Sequence, residues 1–334
     1  MYILQSVAKS EKNDKKENED AIYTNDRLGL YIIADGMDGK NGKEASAFCT
    51  NFLSEKIKKR KRFHSLTPET IENFVRECND NLFSMCKKNR QKGEYGTTLD
   101  LVWFDHNTFY VFHIGNSRVY GLTKKKNLEQ LTEDETVGNE KLKQGMLNKY
   151  QLKVNRFNKG LPLYQPIYEQ LTNGLGIETL KNIHVNSYPV EAYGIILMTT
   201  DGITDLVLDE EIDDILKNHD LENATNAIMK KVKDPEGIVG FNLKHNHYKL
   251  NSLLENLHNS RIENKEFSKL LSALERVQYS YDCAETIRAF CKKYPSINEL
   301  FRNEIKSEIQ KDNASIILIQ QTEVQYGIKR FFGR

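Results

Sequence analysis

The sequence predicts an α+β protein, a β-sheet sandwich flanked by helices, from three observations. Short strands rich in Ile, Tyr, Val and Leu fall in two blocks, and two amphipathic helices separate those blocks. A long polar helical stretch then interrupts the chain before a final strand.

The first block holds Tyr2 to Ala8, Ala21 to Asn25 and Leu28 to Ala34, parted by charged or glycine-containing turns. It reads as strands of one antiparallel sheet. From Lys43 to Lys61, Ala45, Phe48, Cys49, Phe52, Leu53 and Ile57 recur at helical steps with lysines opposite, the pattern of a helix covering a sheet. Thr67 as N-cap and Pro68 at the first helical position open a second helix running to Gln91. Glu69 and Glu72 sit near its positive end, and its apolar stripe is Ile71, Phe74, Val75, Cys78, Leu82, Phe83 and Met85 or Cys86.

The second block holds Gly96 to Phe104, Thr108 to His113 and Ser117 to Leu122, with a turn at Gly115 and Asn116. Thr132 to Gly174 is polar, weakly periodic and punctuated by Pro162 and Pro166, which predicts a mobile surface segment with short helices. A buried strand follows at Tyr193 to Thr200, then helices over Asp209 to Asn218 and Leu221 to Val232, and a last strand over Ala314 to Gln321. Between the last helix and strand, Phe267, Leu270, Leu271, Leu274 and Val277 carry helical spacing within Pro235 to Lys311. The expected division is a sheet domain over 1–234 and 312–323, a helical insertion over 235–311 and a tail over 324–334.

Composition narrows the function. Among 334 residues, 48 Lys and Arg face 47 Asp and Glu, so a formal charge of +1 gives nucleic acid or an acidic membrane no general attraction. The basic run Lys56 to Arg62 ends a helix, where cations suit the dipole. No stretch approaches the roughly 20 apolar residues of a membrane span, and the apolar start is too short for a signal peptide, so a soluble cytoplasmic protein is expected. Five cysteines without a Cys-x-x-Cys pair predict reduced thiols, and His245 and His247 lack a third ligand at metal-site spacing.

The chemistry lies in carboxylates at the ends of apolar strands: Asp20, Asp35, Asp201 and Asp312. Convergent carboxylates repel unless cations neutralise them, and an all-oxygen set favours Mg²⁺ or Mn²⁺ over zinc. Asp-Gly alone is a common turn. The ordered set is more specific: Asn18-Glu19-Asp20, Ile33-Ala34-Asp35-Gly36-Met37, Gly96-Thr97-Thr98, Ile114-Gly115-Asn116-Ser117-Arg118, Leu175-Gly176, Thr200-Asp201-Gly202-Ile203-Thr204-Asp205 and Asp312-Asn313-Ala314.

This series resembles the metal-dependent protein phosphatases of the PPM (type 2C) family, bacterial-like members in particular. The resemblance implies a four-layer α/β/β/α sandwich of two antiparallel sheets, with two Mn²⁺ or Mg²⁺ ions at one edge. It implies that Asp35 bridges both ions, that the Gly36 carbonyl and Glu19 serve one, and that Asp201 and Asp312 hold the other. Asp20 and Asn313 would stand behind these ligands. The implied reaction is hydrolysis of phosphoserine or phosphothreonine by a bridging, metal-activated water. A phosphorylated protein is the expected substrate and a serine/threonine kinase the expected counterpart; the resemblance leaves export as an effector open.

The chain departs from the family pattern at four positions. Lys15 stands where an arginine usually clasps phosphate, giving charge without a bidentate fork. Asn116 replaces an aspartate that helps hold a third, weaker ion together with the position of Asp205. Met37 replaces the histidine proton donor of some members, and Asp38 replaces a glycine. Lys15 and Asn116 support a second reading, a catalytically weakened phosphatase-fold regulatory or binding protein; a metabolite phosphatase is a third.

Overall fold

The computed structural model describes residues 2–37, 41–63, 65–88, 95–157, 165–177, 180–245, 247–259, 262, 264–276, 283–309 and 311–323. The chain runs β1 (Tyr2–Glu11), β2 (Asp20–Asn25), β3 (Leu30–Asp35), α1 (Gly42–Phe63), α2 (Pro68–Lys88), β4 (Leu99–Asp105), β5 (Thr108–Ile114), β6 (Arg118–Thr123) and β7 (Leu128–Gln130). It continues through α3 (Val137–Lys143), α4 (Lys149–Arg156), β8 (His184–Pro189), β9 (Tyr193–Thr199), α5 (Asp201–Thr204), α6 (Asp209–Asn218) and α7 (Leu221–Lys233). Five helices follow, α8 (Glu236–His245), α9 (His247–Asn259), α10 (Lys265–Arg276), α11 (Ala284–Lys293) and α12 (Pro295–Glu308), before β10 (Ala314–Glu323).

The strands form two five-stranded antiparallel sheets, ordered β1-β10-β9-β6-β7 and β2-β3-β4-β5-β8. Both faces of each sheet are covered, which is why β3, Leu30 to Ala34, reads as a continuous apolar run. Tyr31 and Ile33 face the other sheet, meeting Met198 and Ile317, while Leu30 and Ile32 face outward onto Ala45, Leu53 and Val75 of α1 and α2. On the opposite outer face, Leu197, Ile316 and Leu318 pack against Ile212, Ile228 and Val232 of α6 and α7. The α/β/β/α layering expected from the sequence is present.

One expectation is corrected. β1 does not join β2 and β3 in one sheet; it pairs with β10 from Tyr2↔Glu323 to Glu11↔Ala314, in the other sheet. Alternating burial specifies which face of a strand is covered, not which strand lies beside it. The loop after β1 therefore crosses between the sheets, and it carries Lys15 and Glu19.

The segment 132–174 contains short helices as expected, but it is tied inward rather than loose on the surface. Asp134 is buried between Arg118 and Arg156, 2.7 Å from each guanidinium, and Thr172 N donates to Glu135 O at 2.8 Å. Its polarity is spent on internal ion pairs, which composition cannot distinguish from a solvated face. Thr67 Oγ1 accepts from Thr70 N at the start of α2, as an N-cap should. The expected end of that helix at 89–91, Asp38, Val277 and the 324–334 tail lie outside the described residues, as do the side chains of His245 and His247.

Helices α8 to α12 enclose their own core, with Val239, Leu250, Leu253, Phe267, Leu270, Ile287 and Phe301 buried together. Lys306 reaches Asp234 at 2.9 Å, bringing the far end of this helical run back beside its start. No helix among the described residues is long and apolar enough to cross a membrane. Cys49, Cys78, Cys283 and Cys291 are free thiols.

Candidate active site

The two sheets meet at a rim where β2 and β3 from one approach the ends of β9 and β10 from the other. Asp20 opens β2 and stands opposite Asp35, the last residue of β3, in register. Asp201 opens α5 directly after β9, and Asp312 precedes β10. A cleft of about 240 Å³ lies here, lined by Asp35, Gly36, Asn116, Asp201 and Asp312 together with Met37 and Thr98. Glu169 and Leu171 of the 132–174 segment close one side of it.

Backbone bonds fix Asp35. Its N–H donates to Thr98 Oγ1 at 3.0 Å, and its carbonyl accepts from Thr97 Oγ1 at 2.9 Å and Thr98 N at 2.9 Å. These bonds explain the Gly-Thr-Thr motif. Gly36 N donates to Glu19 O at 3.1 Å, and a Cβ on Gly36 would lie 2.3 Å from Gly42 O, so only glycine lets the chain pass. Leu175 exchanges backbone bonds with Thr97, which places the Leu-Gly element against the same turn. A Cβ on Gly202 would lie 1.9 Å from Asn313 O, the close approach that brings α5 onto β10.

Asn313 ties the crossing loop to the rim. Its Oδ1 accepts from Glu19 N at 2.8 Å, while its Nδ2 donates to Lys12 O and Glu17 O at 3.0 Å each. Thr200 Oγ1 donates to Asp20 Oδ2 at 3.1 Å, and Asp20 Oδ1 is buried without a partner.

The electrostatics are those of crowded acids. Burial, then the charges of Asp20, Asp201 and Asp312, raise the Asp35 carboxyl well above its ordinary value. Burial pushes Asp20 up to about 7, with Asp201 adding and hydrogen bonds from Ser315 and Thr200 opposing. Lys15 Nζ lies 3.1 Å from Asp312 Oδ2, and Asn116 Nδ2 donates to Asp201 Oδ2 at 3.0 Å. With those partners the carboxylates do not close into a finished cation cage among the described residues. The donor set nevertheless fits hard divalent cations: several carboxylates and the nearby Gly36 carbonyl, with one buried carboxylate oxygen unsatisfied.

The sequence-derived residues divide by position. Asp35, Gly36, Asp201 and Asp312 share the cleft; Asp20 and Asn313 support it from behind; Lys15 stands on Asp312; Glu19 is held beside Gly36 by its backbone. Asp205 is turned elsewhere, 3.4 Å from Arg156 Nε. Sequence reasoning missed Glu169 and Arg156. Asn155 Nδ2 donates to Glu169 Oε1 at 3.0 Å, and Arg156 links α4 to Asp134 and Asp205. No spacing in the polar segment marks either residue.

A two-sheet sandwich with oxygen donors gathered at its rim is the arrangement expected of a metal-dependent phosphoprotein phosphatase. The family model for Protein phosphatase 2C matches residues 8–236, and the chain belongs to that family. It is 27% identical over 212 residues to "Serine/threonine phosphatase stp" of Listeria welshimeri, covering 62% of this chain and 79% of that protein. It is 24% identical over 231 residues to "Protein phosphatase PhpP" of Streptococcus pneumoniae, covering 67% and 89%. Among solved structures, Stp1 from Staphylococcus aureus superposes with a TM-score of 0.63 at 18% identity, covering 96% of each chain. The catalytic domain of PstP in complex with two manganese ions superposes with 0.60 at 17% identity, covering 97% of this chain and 100% of that one.

Proposed function

We propose that this phosphatase hydrolyses phosphoserine and phosphothreonine in proteins, with two Mn²⁺ or Mg²⁺ ions held by Asp35, the Gly36 carbonyl, Glu19, Asp201 and Asp312. The observation carrying this reading is Asp35, set where the sheets meet and raised in pKa by burial and three neighbouring aspartates. Such a group favours a nearby divalent charge. The relatives named as serine/threonine phosphatases and the PstP complex with manganese support the substrate and metal assignments.

When bound, the ions supply Lewis-acid charge that acidifies an attacking water and offsets the charge of the phosphoryl group. The protein's own groups do the positioning. Asp20, braced by Thr200, orients water at the rim from behind Asp35. Lys15, anchored by a loop that Asn13 and Asn313 fasten to the Asp312 strand end, presents a cation to the phosphate. Met37 offers no proton, so the leaving alkoxide takes one from solvent. A looser third ion would draw on Asp205 and the Asn116 carbonyl, and the Arg156 contact competes for Asp205.

In this reading residues 1–234 and 312–323 form the phosphatase domain, 235–311 an inserted helical module, and a cytoplasmic serine/threonine kinase is the counterpart. The test is phosphate release from a phosphothreonine peptide with Mn²⁺ and with chelator. Release that appears only with metal is expected; no release at any Mn²⁺ concentration would overturn the assignment.

A further inference from the structure

We propose that Phe241, in the helical run that follows the family-matched region, is a positioning residue for the phosphatase reaction: it fixes helix α4 beside the catalytic cleft. The proposal rests on the phosphatase reading of the site and adds a role for a helix that the sequence analysis left without one.

The geometry begins with α4. Its Asn155 donates to Glu169, which lines the cleft, and its Arg156 pairs with Asp205 and Asp134. A shift of α4 therefore carries a cleft wall with it. The same helix end faces the other way through Phe157, whose ring meets Phe241 of α8 edge-on, with centroids 5.2 Å apart and planes at 72°. Lys153, one turn earlier on α4, places its ammonium 5.5 Å from the centre of the Phe241 ring. One aromatic ring thus meets Lys153 of α4 and Phe157, the residue that caps its end.

The two partners of this contact differ in how firmly they are held. Helix α8 is held from two sides: Gly237 lies so close to α6 that a Cβ would meet the Glu211 carboxylate, and within the helical run Arg302 and Lys306 of α12 pair with Glu236 in its first turn. Its own Ile238 and Val239 are buried, Val239 within the core of the helical run. Helix α4 instead borders a cavity of about 460 Å³, lined on its side by Leu152, Arg156 and Phe157 and on the body side by Val207 and Leu208. Helix α4 packs on α3 through Leu152 at Gly138 but faces open space on the cavity side, so its discrete polar and aromatic contacts weigh more in fixing its position there. Those contacts include the Arg156 ion pairs and the Lys153–Glu210 pair at 3.3 Å toward the body, and Phe241 on the side of α8.

The experiment uses the full chain with Mn²⁺. For Phe241→Ala, the KM for a phosphothreonine peptide should rise about fivefold, the scale on which an aromatic edge contact acts. The kcat for p-nitrophenyl phosphate should change by less than about twofold, since the cleft carboxylates are untouched. Amides of α4 should exchange faster, a readout independent of activity. Phe157→Ala, which leaves α8 intact, should reproduce both changes, the double variant should be no worse than either single one, and Phe241→Tyr should restore the parental values. Unchanged α4 exchange in both single variants, or additive effects in the double variant, would overturn the proposal. If the parent itself releases no phosphate from the peptide, the substrate reading falls, and the exchange measurement alone decides the coupling.

Discussion

The carboxamide of Asn116 donates a hydrogen bond to Asp201 Oδ2 across 3.0 Å, so a neutral group faces an aspartate in the candidate cleft. Asn116→Asp would put a second negative charge at that distance. The half-maximal Mn²⁺ concentration for phosphothreonine-peptide hydrolysis should then fall about three- to tenfold, because a cation relieves the new repulsion. Without metal the variant should melt earlier than the parent. A Mn²⁺ titration that superposes on the parent's would reduce Asn116 to a turn residue.

Asp35→Asn removes the carboxylate most crowded by its neighbours. Turnover should drop on the order of 10³-fold, the scale seen when one electrostatic stabiliser is lost. The chelated variant should also melt higher than the chelated parent, because an amide cannot repel Asp20, Asp201 or Asp312. Near-parental turnover by folded variant protein would displace Asp35 from the site.

His113 gives a pH signature away from the proposed metal ligands. Its Nδ1 lies 2.7 Å from Asp100 Oδ1 and its Nε2 lies 2.9 Å from Glu133 O, so both ring nitrogens face acceptors and the imidazolium form satisfies both. Burial alone would lower its pKa; the Asp100 charge and hydrogen bond, with Glu135 and Asp134 adding, raise it from 6.5 to about 9. Asp100 itself is pushed up to about 6 by burial against the pull of His113, and the two acceptors on the ring favour the charged histidine. Because the folded value exceeds the unfolded one, this stabilisation is complete below about pH 6.5 and lost as pH rises through about 9, up to roughly 3 kcal/mol. Urea unfolding of the parent and of His113→Gln should converge in stability across that window; a constant gap would contradict the charged pair.

Excising 236–308 for a short Gly/Ser linker should leave Mn²⁺-dependent hydrolysis of p-nitrophenyl phosphate in place. In the intact chain Lys306 lies 2.9 Å from Asp234, so the two ends of the run to be excised are already close, and closing a short span costs little. The peptide KM should rise as it does for Phe241→Ala. An insoluble product would show that the helices are part of the core of the sheet domain.

Much of the fold could be read from the sequence because burial writes itself as pattern. Leu30 to Ala34 is apolar on both faces since it lies between a sheet and two helices, and α1 and α2 show their stripes plainly. The rim aspartates were legible for the same reason, each marking where an apolar strand begins or stops. β8 was not: His184 to Pro189 is an edge strand, largely exposed and polar, with no period to detect. β1 was assigned to the wrong sheet because its partner, β10, stands at the far end of the chain. Glu169 and Arg156 escaped because their roles arise from a tertiary ion-pair network, and a charged residue in a polar segment looks the same whether it faces water or Asp205.

The pairing of β1 with β10 also bears on how the protein is made. As the chain leaves the ribosome, Glu11 and Tyr2 appear first, while their partners Ala314 and Glu323 appear after every other described element. Contacts so distant in sequence form late, whereas α8 to α12, whose contacts are local, can assemble while synthesis continues. β10 lies between β1 and β9, and Asp312 immediately precedes it, so sheet closure and delivery of the last rim carboxylate fall in the same moment. A chain lacking β10 would lack Asp312 beside it and leave β1 and β9 without the strand that lies between them.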